Sequence, residues 1–461
     1  MAEPPSWQME MMQWMTSGSQ KNVVGEVLKE FDLVVVGAGP VGVRAALRAA
    51  ELGTKVLLCD GSPTSEVSFG GPTGLFSKAL RDTAKRVTVD AYRSLGMDDE
   101  SIWTQVRNDC ERLASTNAQA MRRELATAGA TLAKGNAMFL KQDANGLELK
   151  VGDEKYRAKY AVLATGSAAF RPDNIPFDGR RIFDSDSINS LSYLPRSIAI
   201  TGSGIIAVEY AKIFRKLGSK VTLIFRDSSP KKALEKIGID KDITAALVSD
   251  LRRSGVSFEK ASVCESFVVP SATGLKKQKK RLPLEITLKS SSSSESLEKK
   301  ILKVDAYVAA VGRRPRTGDL NLEKIAVNLD EFGNVLVDAN LRSSNPRVFA
   351  AGDVLGRPFL ASTGVAQGLK AVVGAVDLLK DNLSDAKETN APSIVGASFD
   401  PVSMAADPFA FPVGIWTSPE VAWFGLSLAQ CAQRNIKAVE GIGLYREILR
   451  GVVFSPDGLL K

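Results

Sequence analysis

The chain of 461 residues is 44% hydrophobic and 24% charged, the balance of a globular protein rather than a disordered or fibrous one, and at roughly 150 residues per domain it has room for about three domains. It contains no histidine, and its four cysteines (Cys59, Cys110, Cys264 and Cys431) form no CxxC or CxxxxC pair, which removes zinc sites, a disulfide framework, a dithiol centre and imidazole base catalysis; no metal is expected. A net charge of +8 is compatible with nucleic acid, a membrane surface or anionic small ligands.

Residues 1–30 read as a mobile leader, Met-rich and of mixed charge, without the pattern of a signal or transit peptide. The apolar run Leu33 to Val43 is 11 residues long, too short to span a bilayer. Phe31 to Val36 reads as a strand, Val41 to Leu52 as an Ala-rich helix, and Lys55 to Cys59 as a second strand, which makes a β-α-β unit with parallel strands and a right-handed crossover. Its turn is GAGPVG. Gly37 permits the tight turn, Gly39 lets backbone approach a diphosphate, and Gly42 lets helix and strand pack closely. The free amides and dipole at the helix N-terminus favour that anion. Asp60, 18 residues after Gly42 at the end of the second strand, stands where a carboxylate accepts from ribose hydroxyls.

Residues 74–134 read as helices, one from about Ser77 and a long one through Trp103 to Ala128, and 136–165 as short strands ending at Ala161 to Thr165. A second β-α-β unit follows: a strand from Ser197, a helix from Ile205 to Leu217, and a strand from Lys220 to Phe225. Its turn is GSGIIA, with Gly202, Gly204 and Ala207 in the fingerprint positions. Here Phe225 takes the place of the acid and Arg226 follows, with Lys231 and Lys232 soon after. Cations in that place accommodate a ribose 2′-phosphate, which points to NADP(H); the alternative is that Arg226 is a surface cation. The run KKQKKR at 276–281 with the serine tract 290–294 reads as a solvated hairpin insertion rather than a nucleic-acid patch, because no aromatic residues interleave with it. From Pro315 to Asp385 the pattern predicts strands at Val335 to Val337 and Val348 to Ala350 and a helix after Thr363. Residues 386–410 read as a linker or insertion, and from Pro412 a β-rich segment runs to Lys461.

Five motifs stand in one order: GAGPVG, ATGS at 164–167, GSGIIAVEYA at 202–211, VGRRPRT at 311–317 and VFAAGD at 348–353. The arrangement resembles the FAD-dependent pyridine nucleotide-disulfide oxidoreductases over residues 31 to 461. The resemblance implies an α/β fold: two Rossmann-like dinucleotide-binding domains, for FAD and NAD(P), plus an incomplete α+β interface domain. The expected boundaries are 31–195 and 313–385 for the FAD side, 196–312 for the NAD(P) side, and 411–461 for the start of a truncated dimerisation domain. It further implies that Gly37, Gly39, Gly42, Asp60, Gly71, Thr165, Gly166, Gly352 and Asp353 serve FAD, and that Gly202, Gly204, Ala207, Arg226 and Lys232 serve the nicotinamide nucleotide. Glu209 is expected beside the nicotinamide ring. Lys78, in FSKALR, is expected as the lysine facing the flavin and paired with Glu209; the alternative is a solvated helix residue, and the neighbouring Gly70 and Gly71 favour the site role.

The stretch GGPTGLFSKALR departs from the disulfide reductases because it holds no cysteine, so a dithiol relay has no atoms to run on. The soluble FAD-dependent pyridine nucleotide transhydrogenases also lack that pair, and FLASTGVAQGLKA at 359–371 and PVGIWTSPEVAWFGLSLAQ at 412–430 resemble that branch. Hydride transfer between NADPH and NAD⁺ through a flavin needs neither histidine nor cysteine, since the cofactors carry the chemistry and the protein supplies positioning. The alternatives are another FAD-dependent NAD(P)H oxidoreductase with a quinone or dye acceptor, and a non-catalytic nucleotide-binding relative. The family implies a homodimer; a soluble, cytoplasmic protein is expected, with an organellar location as the alternative, and no nucleic-acid or membrane partner.

Overall fold

The computed structural model describes residues 28–61, 73–236, 238–270, 282–291, 299–381, 412–417, 419–454 and 458–461. The expected leader up to residue 27, Gly71, the KKQKKR run and the 386–410 segment therefore lie outside the described residues.

The first unit opens with β1 (Lys29–Val36), α1 (Pro40–Glu51) and β2 (Val56–Asp60). The helices α2 (Thr73–Arg86), α3 (Val89–Ser94) and α4 (Asp99–Thr127) follow, then β3 (Thr131–Lys134), β4 (Ala137–Asp143), β5 (Gly146–Val151) and β6 (Glu154–Leu163). Strands β3, β2, β1 and β6 pair in that order, all parallel. The near-continuous apolar run of β1 fits this place, because a parallel strand covered on both faces has no solvent side. The other edge of β6 is shared. Its first half takes β5 and then β4 in an antiparallel meander, and its last residues take a late strand, Val348–Ala350.

The chain then runs through β7 (Ser167–Ala169), β8 (Ile182–Asp184), β9 (Ser197–Thr201), α5 (Ile205–Lys216), β10 (Lys220–Ile224), α6 (Pro230–Glu235), α7 (Lys241–Arg253) and β11 (Ser257–Glu259). An antiparallel meander of β12 (Ser262–Val268), β13 (Leu284–Ser290) and β14 (Lys300–Val304) leads into β15 (Ala306–Ala309). The order β11-β10-β9-β15-β8 makes a second, all-parallel sheet. Strand β8 precedes residue 196, so this sheet draws one strand from earlier in the chain than the expected boundary. The return segment supplies β16 (Arg313–Pro315), β17 (Val348–Ala350) and α8 (Ala361–Asp381), and residues from Val413 add β18 (Val413–Ile415), β19 (Val421–Trp423) and α9 (Leu428–Gln433). Among the described residues no helix is long and apolar enough to cross a membrane.

The expectation of a strand at Val335–Val337 is corrected. Turns closed by Asp330–Asn334 and Asp338–Arg342 bracket those residues, leaving room only for the single bridges Leu329 to Val335 and Val337 to Ser343. The helix expected from Ser77 begins at Thr73.

Two packing contacts position the site. Helix α8 lies so close to α1 that a Cβ at Gly364 would come within 2.7 Å of Val41, and one at Gly368 within 3.3 Å of the Val41 carbonyl. The buried core of the second sheet also takes in α2 and α4: Leu80, Trp103 and Phe214 are buried together, with the rings of Trp103 and Phe214 stacked at 6.1 Å. This apolar contact brings α2 of the first unit against α5 of the second, and with them the side chains the two helices carry.

Candidate active site

One cavity of about 2570 Å³ runs between the two glycine turns. It exceeds the ~300–1,000 Å³ of a site for a single drug-sized ligand, and so has the size for more than one large cofactor. Of the residues expected at the site, Gly37, Gly39, Asp60, Lys78, Thr165, Gly166, Gly202, Gly204, Glu209, Arg226 and Asp353 all line it.

The two turns are built alike. Gly37 has φ +112°, and a Cβ there would stand 2.4 Å from the Ala164 carbonyl oxygen; Gly202 has φ +139°, with the Ala310 carbonyl oxygen 2.2 Å from the same imaginary atom. Glycine is required at both by strain and by space. Gly42 and Ala207 do not reach the cavity. A Cβ on Gly42 would fall 1.7 Å from the Gly37 carbonyl, and Ala207 is fully buried, so both serve the close packing of helix on turn. Gly39 and Gly204 are different: a Cβ on either would meet nothing within 4 Å, and each is the N-cap of a 12-residue helix with no side-chain cap. The first free amides of α1, which start at Val41 because Pro40 has none, and those of α5 thus open onto the cavity, an arrangement suited to a diphosphate.

At the end of β2 the buried carboxylate of Asp60 accepts a 2.8 Å hydrogen bond from Lys134 Nζ. Across the sheet, the Asp353 carboxylate accepts from Ser167 Oγ at 2.6 Å. Arg313 Nε donates to the same Oγ at 2.7 Å, and its guanidinium pairs with Asp186 at 2.7 Å. Burial pushes the Asp353 carboxyl up from its ordinary value against the opposing effects of Ser167 and Arg313, with Asp186 adding to the rise. Gly352 is buried behind Asp353 and donates its N–H to Gln367 at 2.9 Å; it fixes the turn rather than lining the cavity. Thr165 and Gly166 are tied to the return segment, with Thr165 Oγ1 donating to the Arg316 carbonyl at 2.7 Å and Arg316 N donating to the Gly166 carbonyl at 3.0 Å.

Between the two turns, Lys78 Nζ of α2 lies 2.6 Å from Glu209 Oε2 of α5, the contact expected from the sequence. Glu209 is 5% exposed, and its other oxygen, Oε1, accepts from the backbone N–H of Trp416 at 2.9 Å. The Trp416 ring has the Lys78 ammonium 5.9 Å and the Arg81 guanidinium 4.8 Å from its centre, and it lines the cavity. Three chain segments remote in sequence therefore define one charged pair. A buried carboxylate needs such partners, because an isolated one would carry a large desolvation cost.

At the far end Arg226 lines the cavity, but Lys232 does not: it stands exposed on α6, and Lys236, the C-cap four residues on, lines the cavity instead. Sequence reasoning also passed over Ser167, Asp186, Arg313 and Trp416. Arg313 stood inside the quoted VGRRPRT motif and Trp416 inside PVGIWTSPEVAWF, but nothing local distinguishes them from ordinary surface residues.

The family model for pyridine nucleotide-disulphide oxidoreductases matches residues 31–368, a span that takes in both glycine turns, Lys78, Glu209 and Asp353. The chain belongs to that family. A soluble pyridine nucleotide transhydrogenase of Hahella chejuensis is 30% identical over 94% of this chain and 84% of its own length. The protein of that name from Mycobacterium tuberculosis is 26% identical with the same coverage. Among solved structures, LpdA of Mycobacterium tuberculosis superposes with a TM-score of 0.72 at 20% identity, over 92% of this chain and 84% of that one. An HOCl-induced flavoprotein disulfide reductase, RclA, of Escherichia coli gives 0.69 at 21%, over 93% and 85%; both likenesses show the fold. This oxidoreductase family depends on FAD and uses NAD(P). The uncapped helix termini behind Gly39 and Gly204, the room at both glycines and the volume between them fit two dinucleotides.

Proposed function

We propose that this chain is a pyridine nucleotide transhydrogenase, passing hydride between NADPH and NAD⁺. The observation that carries the reading is the Lys78–Glu209 pair, set between two nucleotide-type glycine turns in one cavity, on a helix that brings no cysteine with it. The names of relatives matched over most of both chains point the same way.

FAD, when bound, would supply the redox chemistry of hydride exchange between the nicotinamides. Gly37, Gly39 and the α1 amides would hold its diphosphate, Asp60 its ribose, and Asp353 its sugar-alcohol chain, with Thr165 and Gly166 shaping the contact and Gly352 fixing the turn behind it; Gly71 keeps the part the family resemblance gives it. Gly202, Gly204 and the α5 amides would hold the diphosphate of the nicotinamide nucleotide, with Ala207 packed beneath and Arg226 at the ribose; Lys232 points away, and its part would fall to Lys236. Lys78 and Glu209 position the reacting rings and keep a fixed, neutralised charge pair at that point, which needs no reorganisation during transfer. No side chain has to take up or release a net proton, consistent with a chain that has no histidine. The two sheets support a division into an FAD-binding unit from 31–195 and 313–385 and an NAD(P)-binding unit from 196–312, with β8 crossing from the first span into the second sheet, and the exposed Val439, Leu449 and Val453 beyond residue 411 support a homodimer.

The test is anaerobic mixing of FAD-saturated protein with NADPH and thio-NAD⁺. The expected result is thio-NADH formation in proportion to enzyme. Bleaching of the flavin by NADPH without thio-NADH would assign the chain a different acceptor and refute the transhydrogenase reading.

A further inference from the structure

The loop after β10 carries a second charged residue that the NADP(H) argument left aside. Asp227 follows Arg226 directly, and its Oδ1 is in contact with Lys236 Nζ. Arg226, Asp227 and Lys236 all line the cavity, on the side of the Gly202 turn. Among the described residues the other Asp227 oxygen, Oδ2, accepts no hydrogen bond, and Arg226 forms no ion pair. The backbone beneath them is held from the meander: Ser262 N donates to the Phe225 carbonyl at 2.9 Å, Ser291 Oγ to that of Arg226 at 2.6 Å, and Ala261 N to that of Asp227 at 3.0 Å. Three successive carbonyls are thus fixed, and the side chains of Arg226 and Asp227 are presented from an anchored loop. Lys236 is tied to it only by its ammonium, on a long side chain that is 66% exposed.

Resting on the reading that this end of the cavity takes the adenosine ribose of a pyridine nucleotide, we propose that the Asp227–Lys236 pair reads both forms of that ribose. For an unphosphorylated ribose the pair stays closed. Lys236 neutralises Oδ1 and Oδ2 accepts the 2′-hydroxyl, the role that a strand-end acid plays elsewhere. For a 2′-phosphate the lysine swings from Asp227 to the phosphate and joins Arg226, so two cations face the dianion and outweigh the one carboxylate. A site with Arg226 alone would favour NADP(H), and one with an unneutralised acid would repel the phosphate. A swinging lysine between the two lets one site serve both nucleotides, as a chain exchanging hydride between them requires.

The test uses the full-length, FAD-saturated protein and two probes without a nicotinamide ring, ADP-ribose and 2′-phospho-ADP-ribose, with affinities read by calorimetry. Asp227→Asn should weaken ADP-ribose by about tenfold and leave the phosphorylated probe as tight or tighter. Lys236→Met should do the reverse, weakening the phosphorylated probe by about tenfold with ADP-ribose unchanged. Both side chains are exposed enough to be replaced without unfolding, and retained flavin absorbance verifies it. The proposal is overturned if both variants shift both probes by the same factor, or if neither shifts either. Failure of the unsubstituted protein to bind either probe removes the ribose site and the proposal with it. None of these readouts depends on hydride transfer, so an absent transhydrogenase activity leaves this result standing on its own.

Discussion

Gly202 and Gly204 stand two residues apart in one turn, and the structure predicts opposite consequences for the same added methyl group. At Gly202 an alanine would have to adopt φ +139° with its Cβ 2.2 Å from the Ala310 carbonyl oxygen. Backbone strain of about 1–3 kcal/mol and overpacking of about 1–3 kcal/mol then add, so Gly202→Ala should lose roughly 2–6 kcal/mol of stability. At Gly204 the backbone has φ −79° and ψ 175°, which alanine adopts freely, and its Cβ would meet nothing within 4 Å. The unfolded-state gain of about 0.4–1 kcal/mol and the poorer N-cap nearly cancel, so Gly204→Ala should stay within about 1 kcal/mol of the parent. Its methyl group would occupy the space where a diphosphate meets the amides of α5. Losing one charge-assisted hydrogen bond there, about 1.5–3 kcal/mol, weakens NADPH by roughly 10- to 150-fold. Thermal unfolding and a calorimetric NADPH titration on the same two preparations decide the matter, with flavin content as the control for the first site. If Gly204→Ala binds NADPH normally, the amides of α5 do not hold the diphosphate and the reasoning fails. If Gly202→Ala is as stable as the parent, the packing account of the turn is wrong.

Other perturbations separate the remaining parts of the site. Lys78→Met should leave the nearly buried Glu209 with only the Trp416 amide as partner, lowering stability by about 1–3 kcal/mol and slowing flavin reduction by NADPH in stopped-flow. Unchanged reduction kinetics would remove the pair from the reacting centre. Arg226→Glu should weaken NADPH far more than NADH in equilibrium titrations, and equal losses would make Arg226 a surface cation. Asp353 gives a pH signature. Its folded-state pKa is raised by burial, so the folded protein holds that proton more tightly than the unfolded chain. The stabilising effect is complete below the ordinary carboxyl value and is lost as pH rises through the raised one. Asp353→Asn should therefore stabilise the flavin-free protein at neutral pH, flatten this part of the stability profile and weaken flavin retention. A variant less stable than the parent at neutral pH, measured by denaturant unfolding without flavin, contradicts the assignment.

The duplicated unit and its chemistry were legible in the sequence because they are local. Short continuous apolar strands, Ala-rich helices and glycines at fixed offsets express backbone geometry within about 30 residues, where sequence separation alone brings groups together. From those patterns came both turns, the places of Asp60 and Arg226, and the absence of any dithiol or imidazole. The Lys78–Glu209 pair, 131 residues apart, was anticipated only through family resemblance; the physical cause is the burial of Leu80, Trp103 and Phe214 in one core, which no local pattern encodes. Tertiary structure alone decided that the Trp416 amide completes Glu209, that Arg313 reaches Asp353 through Ser167, and that Lys236 rather than Lys232 faces the cavity. The last turns on position along one short helix: Lys232 and Lys236 stand four residues apart on the same face, but Lys236 is the C-cap, where its ammonium meets Asp227 at the cavity, and where that helix end docks is set by packing partners far away in the chain.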